Sequence, residues 1–434
     1  MIPTNDNSQQ LQANAPLRPF QLVWLALAVF VVSAGYGALA PLLPTWLKQF
    51  MVDSDANELA KHVGYLSAAY SAGVLIGAPL WGIVSDRLGP IRVLLAGLVG
   101  YVLSVIALLR PDFLGVFGLY AMRWTTGFFV AAVIPVVSAI VARYTPPATR
   151  SRHFAWLGAM SLLGFLFGPA FNLFLERANP WILARGIQPW PVVNTVILAS
   201  ALLGAIIMVG LAAALPSDAA AEKTNKPIRS VSAEPSGPGI LWLINATVMF
   251  VLAGFELGLV LEAGKNWSLQ DISVMFAECS LVMLLIDGAL FFTNLLDRIS
   301  PRKVLLVALV VAVAGLGLLA FDTSGEWRYI GVSLTSAGTG VALPTISFLA
   351  AGLSPSRLGA TMGGLAATSG LGQTFGSALA GWLFSVSAIS SFAWLAAPLV
   401  AILGWLAVKP DKLVISGLTE PVRVIDKLHD ESQP

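Results

Sequence analysis

The chain has a single cysteine, Cys279, and three histidines among 434 residues. One thiol cannot close an intrachain disulfide, so cysteine usage sets no redox compartment. With so few thiolate and imidazole ligands, and none at metal-binding spacing, no metal site is expected, and no cofactor. Charge is scarce too: Asp, Glu, Lys and Arg make up 11% of residues, against about a quarter in a soluble domain. The formal net charge of +2 is small and scattered, so nucleic acid is not an expected partner. No nucleophile–base pair or phosphate loop stands out. The glycine string "GLVGYVLS" at 97–104 follows no strand and reads as membrane packing. An enzyme is not expected.

Apolar residues are what the chain has in abundance, at 57% of the sequence and a mean hydropathy of +0.80. Runs of about 20 apolar residues, enough to cross roughly 30 Å of hydrocarbon, recur along it. Their cores lie near 22–47, 63–85, 93–109, 113–141, 153–175, 192–215, 239–261, 272–296, 304–321, 328–351, 358–384 and 391–408. The expected fold class is an all-α membrane protein of twelve transmembrane helices in two six-helix, pseudo-symmetric bundles. The first run is too long for a signal-peptide core and ends in Pro41 and Pro44, so it reads as a retained helix.

Lysine and arginine give an orientation. With the N-terminus inside, seventeen of the 25 lie on the cytoplasmic side and seven on the other, and Arg123 falls within a span. The positive-inside rule then places both termini in the cytoplasm, in a bacterial inner membrane. The division that follows is an N-terminal tail at 1–20, a bundle at 21–215, a linker at 216–238, a second bundle at 239–408 and a tail at 409–434. The linker, rich in Ser, Pro and charge, reads as a tether.

Two charged phrases repeat. "DRLGPIRVLL" at 86–95 returns as "DRISPRKVLL" at 297–306, and "PVVSAIVARYTP" at 135–146 returns as "PTISFLAAGLSP" at 344–355. Each phrase falls at the same place in its half, as an internal duplication requires. Related six-helix halves about a membrane-normal axis are a transporter plan with the substrate site between them.

On these residues the chain resembles the major facilitator superfamily. Gly82, Asp86, Arg87, Gly89 and Arg92 resemble its loop signature between helices 2 and 3, with Pro90 where a basic residue is usual; Asp297 and Arg298 open the second copy. Asp86, at the end of helix 2, is a candidate gate latch onto the positive N-terminal end of helix 11. "Gly35-(five residues)-Pro41-Leu-Leu-Pro44", the Arg123-Trp-Thr-Thr126-Gly127 stretch and Gly164-x-x-x-Gly168-Pro169 resemble patterns of the proton-coupled drug efflux families. Phe171-Asn172 departs from the glycine pair that usually follows; "FGPAFNLF" and "FEL" resemble a branch that includes lysosomal major facilitator proteins.

Ionisable groups inside spans are functional candidates by default. Arg123 stands about ten residues into a span, where a charge costs at least ~2.5–3.5 kcal/mol, so it should face a cavity and find an acid or carbonyl. Apart from Asp86 at a helix end, the expected N-half spans hold no acid, whereas the second half holds Glu256, Glu278 and Asp287. Glu278 and Asp287, nine residues apart, point to opposite sides of one helix. Asp287 and Glu256 are the favoured proton carriers, and Glu278 is expected near the outer mouth. The resemblance draws the cavity walls from helices 1, 4, 7 and 10, with Tyr36, Trp124, Phe128, Phe255 and Thr339 as candidates.

The expected function is proton-coupled efflux of small lipophilic or cationic compounds by alternating access. The expected partners are that substrate, protons and the lipid bilayer, and the expected state is a monomer. An uptake symporter, and a channel or receptor on the same scaffold, are the alternatives.

Overall fold

The structure is a computed structural model. It describes residues 17–51, 54–109, 115–145, 147–185, 190–215, 239–262, 268–293, 299–321, 325–353, 358–386 and 391–408. The linker, residues 1–16 of the N-terminal tail, the C-terminal tail, Asp297 and Arg298 lie outside the described residues.

Twelve helical units occupy them, labelled α1 to α12. α1 is Pro19–Leu39, continued by a 3-10 turn at Ala40–Leu42 and a short helix at Leu43–Leu47. α2 is Ala56–Leu88, α3 Pro90–Ala107, and α4 the pair Gly115–Val130 and Ile134–Tyr144. α5 is Pro147–Leu183, α6 Val192–Ala214, α7 Gly239–Glu262 and α8 Leu269–Thr293. α9 is Pro301–Phe321, α10 Trp327–Leu353, α11 Leu358–Val386 and α12 Ser391–Val408. Ten are long and apolar enough to cross a membrane by length and composition. α12 is a shorter apolar helix, and α11 is diluted by Gly, Ser, Thr and Gln373.

The interruptions follow from local chemistry. The Asp55 carboxylate accepts the Glu58 backbone N–H at 2.6 Å and starts α2, satisfying an amide that the first turn leaves orphaned. α2 ends at Gly89, whose φ of 93° suits a residue without Cβ, and Pro90 opens α3 with its φ already set. Pro135 lacks the N–H that Ala131 would need four residues on, and α4 breaks into a turn over 131–133. Pro344, its counterpart in the repeat, sits inside a continuous α10.

α2 and α5 are longer than their apolar cores. Glu58 and Glu176 therefore lie within helices, which corrects the expectation of acid-free N-half spans. The extra turns are amphipathic ends that an apolar run does not reveal.

Each half packs as a bundle, α1 on α5 and α2 on α4 in the first, α7 on α11 and α9 on α10 in the second. The halves meet where α2 packs on α11 and α5 on α8. Large apolar side chains such as Leu103, Val209 and Phe321 stand exposed on the outside. Water penalises that arrangement, and hydrocarbon does not.

Two faces can be told apart: a basic face, where α1 begins and the 86–92 turn lies, and the opposite face. Gly64 of α2 meets Gly381 of α11 near the opposite face; a Cβ on Gly64 would lie 2.7 Å from the Gly381 Cα. Eleven residues deeper on both helices, Leu75 packs over Gly370, so this seam runs for roughly 16 Å.

Candidate functional site

Between the halves lies a cavity of roughly 1150 Å³, counting its open mouth. Its walls combine Val32, Tyr36, Tyr70 and Phe165 of the first half with Met249, Glu256 and Met283 of the second. The lining is mostly apolar and aromatic, with Gln373, serines and one carboxylate as its polar groups. The closed end is built by Tyr36 and Glu256: the Tyr36 hydroxyl donates to Glu256 Oε2 at 3.5 Å, tying α1 to α7. Both residues also line a smaller pocket on the other side, with Ala40, Ser67, Val260 and Ser377. From this floor the cavity runs towards the basic face. Met249 stands seven residues before Glu256 on α7, and Val74 lies one turn beyond Tyr70 on α2. The Gly64–Gly381 seam packs on the opposite side of this floor.

Tyr36 is held in place by aromatic contacts. Its ring packs on Tyr70 at 5.0 Å and edge-on to Phe165 at 5.4 Å, geometries that suit ring quadrupoles. The close approach of α5 to α1 rests on the helix 5 motif. A Cβ on Gly164 would lie 2.5 Å from the Phe30 carbonyl oxygen, and one on Gly168 2.8 Å from that of Ala34. Pro169 is buried within α5 beside them. Asn172, the departure from the usual glycine, is fully buried and donates to the Ala38 carbonyl at 2.8 Å. That carbonyl belongs to the stretch of α1 that Pro41 loosens into a 3-10 turn, so the amide secures a helix end with weakened internal bonding.

Arg123 is 2% exposed and lines an inner pocket of the first half with Tyr36, Tyr70, Tyr101, Thr126 and Ser200. The expected acid or carbonyl partner is replaced by a ring: the guanidinium lies 4.8 Å from the Tyr70 centroid, within cation–π range. Its Nε reaches no hydrogen-bond acceptor.

The three second-half acids separate. Glu256 faces the cavity. Glu278 accepts from Ser333 of α10 at 2.5 Å, inside its own half. Glu278 and Asp287 both lie within the described part of α8, Leu269–Thr293. Asp287 sits one turn beyond the cavity-lining Met283 and shares its helix face, on the way to the basic side.

Of the other wall candidates, four do not line this cavity. Phe255 is fully buried against Phe392 of α12. Thr339 turns its hydroxyl to the Thr335 carbonyl of its own helix. Trp124 stacks on Phe128, which packs against Trp81. α4 and α7 do reach the wall, through Val130 and Met249, whereas no residue of α10 is among its lining residues, and which face of a helix turns inward depends on packing. Tyr70, Phe165 and Met249 were missed because an apolar residue in an apolar run carries no signal of its direction.

In the loop signature, Gly82 has open space around it and Gly89 makes the positive-φ turn. Arg87 is exposed, and Arg92 is exposed with an interaction of its own. The Asp86 side chain lies outside what is described, as do Asp297 and Arg298, so the latch onto α11 has no geometry here.

Twelve helices among the described residues, ten of them long and apolar enough to cross a membrane, paired halves and a central cavity define a membrane transporter. The chain belongs to the Major Facilitator Superfamily, whose family model matches residues 25–287 and 266–422. A class B tetracycline resistance protein of Escherichia coli is 34% identical over 157 residues, 36% of this chain and 38% of that protein. A class D tetracycline resistance protein of Salmonella ordonez is 25% identical over 373 residues, 83% of this chain and 89% of that one. Among solved structures, the inward open xylose transporter XylE of E. coli superposes with a TM-score of 0.71 at 14% identity. It covers 92% of this chain and 98% of that one, a likeness of fold.

Proposed function

We propose that this chain is a proton-coupled exporter of small lipophilic or cationic compounds that works by alternating access, as a monomer in a bacterial inner membrane. The basic face, with both termini, is cytoplasmic, and the observed state faces inward. The observation that carries the reading is the Tyr36–Glu256 hydrogen bond across the cavity floor. The tetracycline-resistance relatives support the substrate class. An aromatic lining with few polar groups suits amphiphiles better than sugars, which need many polar partners.

The geometry supplies a rule for exchange. With Glu256 ionised, the Tyr36 hydroxyl closes its 3.5 Å separation to a charge-assisted bond about twice as strong as a neutral one, which holds the opposite face shut. A proton on Glu256, or a substrate group drawing Tyr36 away from it, removes that charge assistance. The empty, ionised carrier is thus held still, whereas the protonated and the substrate-loaded forms can rock. Only loaded forms cross, which is the requirement for antiport. Asp287, one turn below the cavity wall, is the second proton group, placed between Glu256 and the basic-side water.

The test uses purified protein in liposomes with an internal pH dye and a tetracycline or a lipophilic cation as substrate. Substrate addition should move protons the opposite way, and Glu256→Gln should abolish that movement. Asp287→Asn should slow it. Substrate and proton moving in the same direction would make the protein a symporter. Unchanged exchange in both variants would remove the acids from the mechanism.

A further inference from the structure

Arg123 has a role left over. The small pocket it lines sits inside the first half, and no carboxylate is among its lining residues. Hydroxyl groups surround the guanidinium instead, from Tyr36, Tyr70, Tyr101, Thr126 and Ser200. Two of these hydroxyl protons are committed, Tyr36 to Glu256 and Thr126 to the Met122 carbonyl, which leaves Tyr70, Tyr101 and Ser200 to donate. A buried cation with no carboxylate in its lining and its own Nε unpartnered is a receptor for an acidic group that the protein does not provide.

The pocket is separated from the main cavity by one layer. Tyr36 and Tyr70 line both spaces, and their rings pack together at 5.0 Å. A group entering from the cavity between these two rings would reach Arg123, while the apolar body behind it stayed among Val74, Phe165 and Met249. The inner pocket has room for little more than a water, so an acidic group reaches Arg123 only as the Tyr36 and Tyr70 rings part.

We infer that the preferred substrates carry an acidic group on an aromatic or lipophilic body, and that this group docks on Arg123 through the Tyr36–Tyr70 layer. This narrows the efflux reading to its lipophilic substrates, sets the cationic ones aside, and rests on the cavity being the substrate site. It also supplies the unlatching step: an anionic acceptor beside Tyr36 competes with Glu256 for the single tyrosine proton. Binding at Arg123 therefore loosens the bond that closes the opposite face, without direct contact between substrate and Glu256.

The test is equilibrium binding in lipid nanodiscs with two fluorescent probes that share a body. 1-Anilinonaphthalene-8-sulfonate carries an anionic group, and N-phenyl-1-naphthylamine is its neutral counterpart; empty nanodiscs give the background. The anionic probe should bind the wild-type protein more tightly than the neutral one. Arg123→Gln should weaken the anionic probe by about 30-fold, the scale of a buried charge pair losing one partner, and leave the neutral probe unchanged. Arg123→Lys, which keeps the charge, should fall between the two. The inference fails if the wild-type protein binds both probes equally, a comparison that needs no variant. It fails too if Arg123→Gln weakens both alike, since that marks a structural arginine. Displacement of the sulfonate by chloride, with gluconate inert, would assign the site to a free inorganic anion and overturn the substrate-borne version. Because no transport is measured, loss of the anionic preference leaves proton-coupled efflux standing.

Discussion

Tyr36 of α1 donates its hydroxyl proton to Glu256 of α7 across the floor of the central cavity. This bond between the halves sits just inside the Gly64–Gly381 seam that closes the opposite face. A polar tie and an apolar seam thus share one task, and only the polar one can be switched by a proton.

Tyr36→Phe removes the donor and keeps the ring contacts with Tyr70 and Phe165. A net hydrogen bond contributes about 0.5–1.5 kcal/mol, so the open population at the opposite face should rise by roughly two- to tenfold. Spin labels at Lys48 and Glu326, both exposed near that face, report it in a Cys279→Ser background. An unchanged distance distribution would leave the bond without a gating role.

The seam itself makes a steric prediction. Leucine at Gly64 cannot be placed, since even a Cβ there lies 2.7 Å from the Gly381 Cα and 2.9 Å from the Ser377 carbonyl. Both contacts are backbone and have no rotamer to give. Gly64→Leu should hold the opposite face open and cut transport more than tenfold while the protein still reaches the membrane. The same label pair should show the longer distance dominating.

Asn172→Gly, which restores the residue usual at this place in the resembled drug efflux families, should destabilise the protein. It leaves the Ala38 carbonyl without its side-chain donor, a loss of about 1–3 kcal/mol for a buried acceptor. Thermal unfolding in detergent measures it. A neutral or raised midpoint would mean that α1 makes up the bond from its own backbone.

Glu278 should prove structural. Its carboxylate accepts from Ser333 within the second half, and a glutamine carbonyl can accept the same proton. Glu278→Gln should keep transport within about twofold, the bond being worth only about 0.5–1.5 kcal/mol net. Ser333→Ala, which strands the carboxylate, should cost more in stability. Loss of proton coupling in Glu278→Gln would move the proton pathway into α8.

Much of this molecule is written along the chain. Apolar runs of membrane length and a duplicated charged phrase gave twelve helices in two related halves, because in hydrocarbon a backbone must bond to itself and helices are the local solution. Helix ends were legible where capping residues mark them, as at Asp55 and Gly89, and illegible where amphipathic turns extend α2 and α5 past their apolar cores. The charges that matter, Arg123 and Glu256, were legible because so few others lie in spans. Their partners were not. That Arg123 rests on Tyr70, that Glu256 takes its bond from Tyr36 220 residues away, and that Phe255 turns from the cavity while Met249 faces it are all set by rotation of whole helices against neighbours. Hydrophobic periodicity is nearly silent when a helix is apolar all round, so that rotation was decided by side-chain packing between helices far apart in sequence.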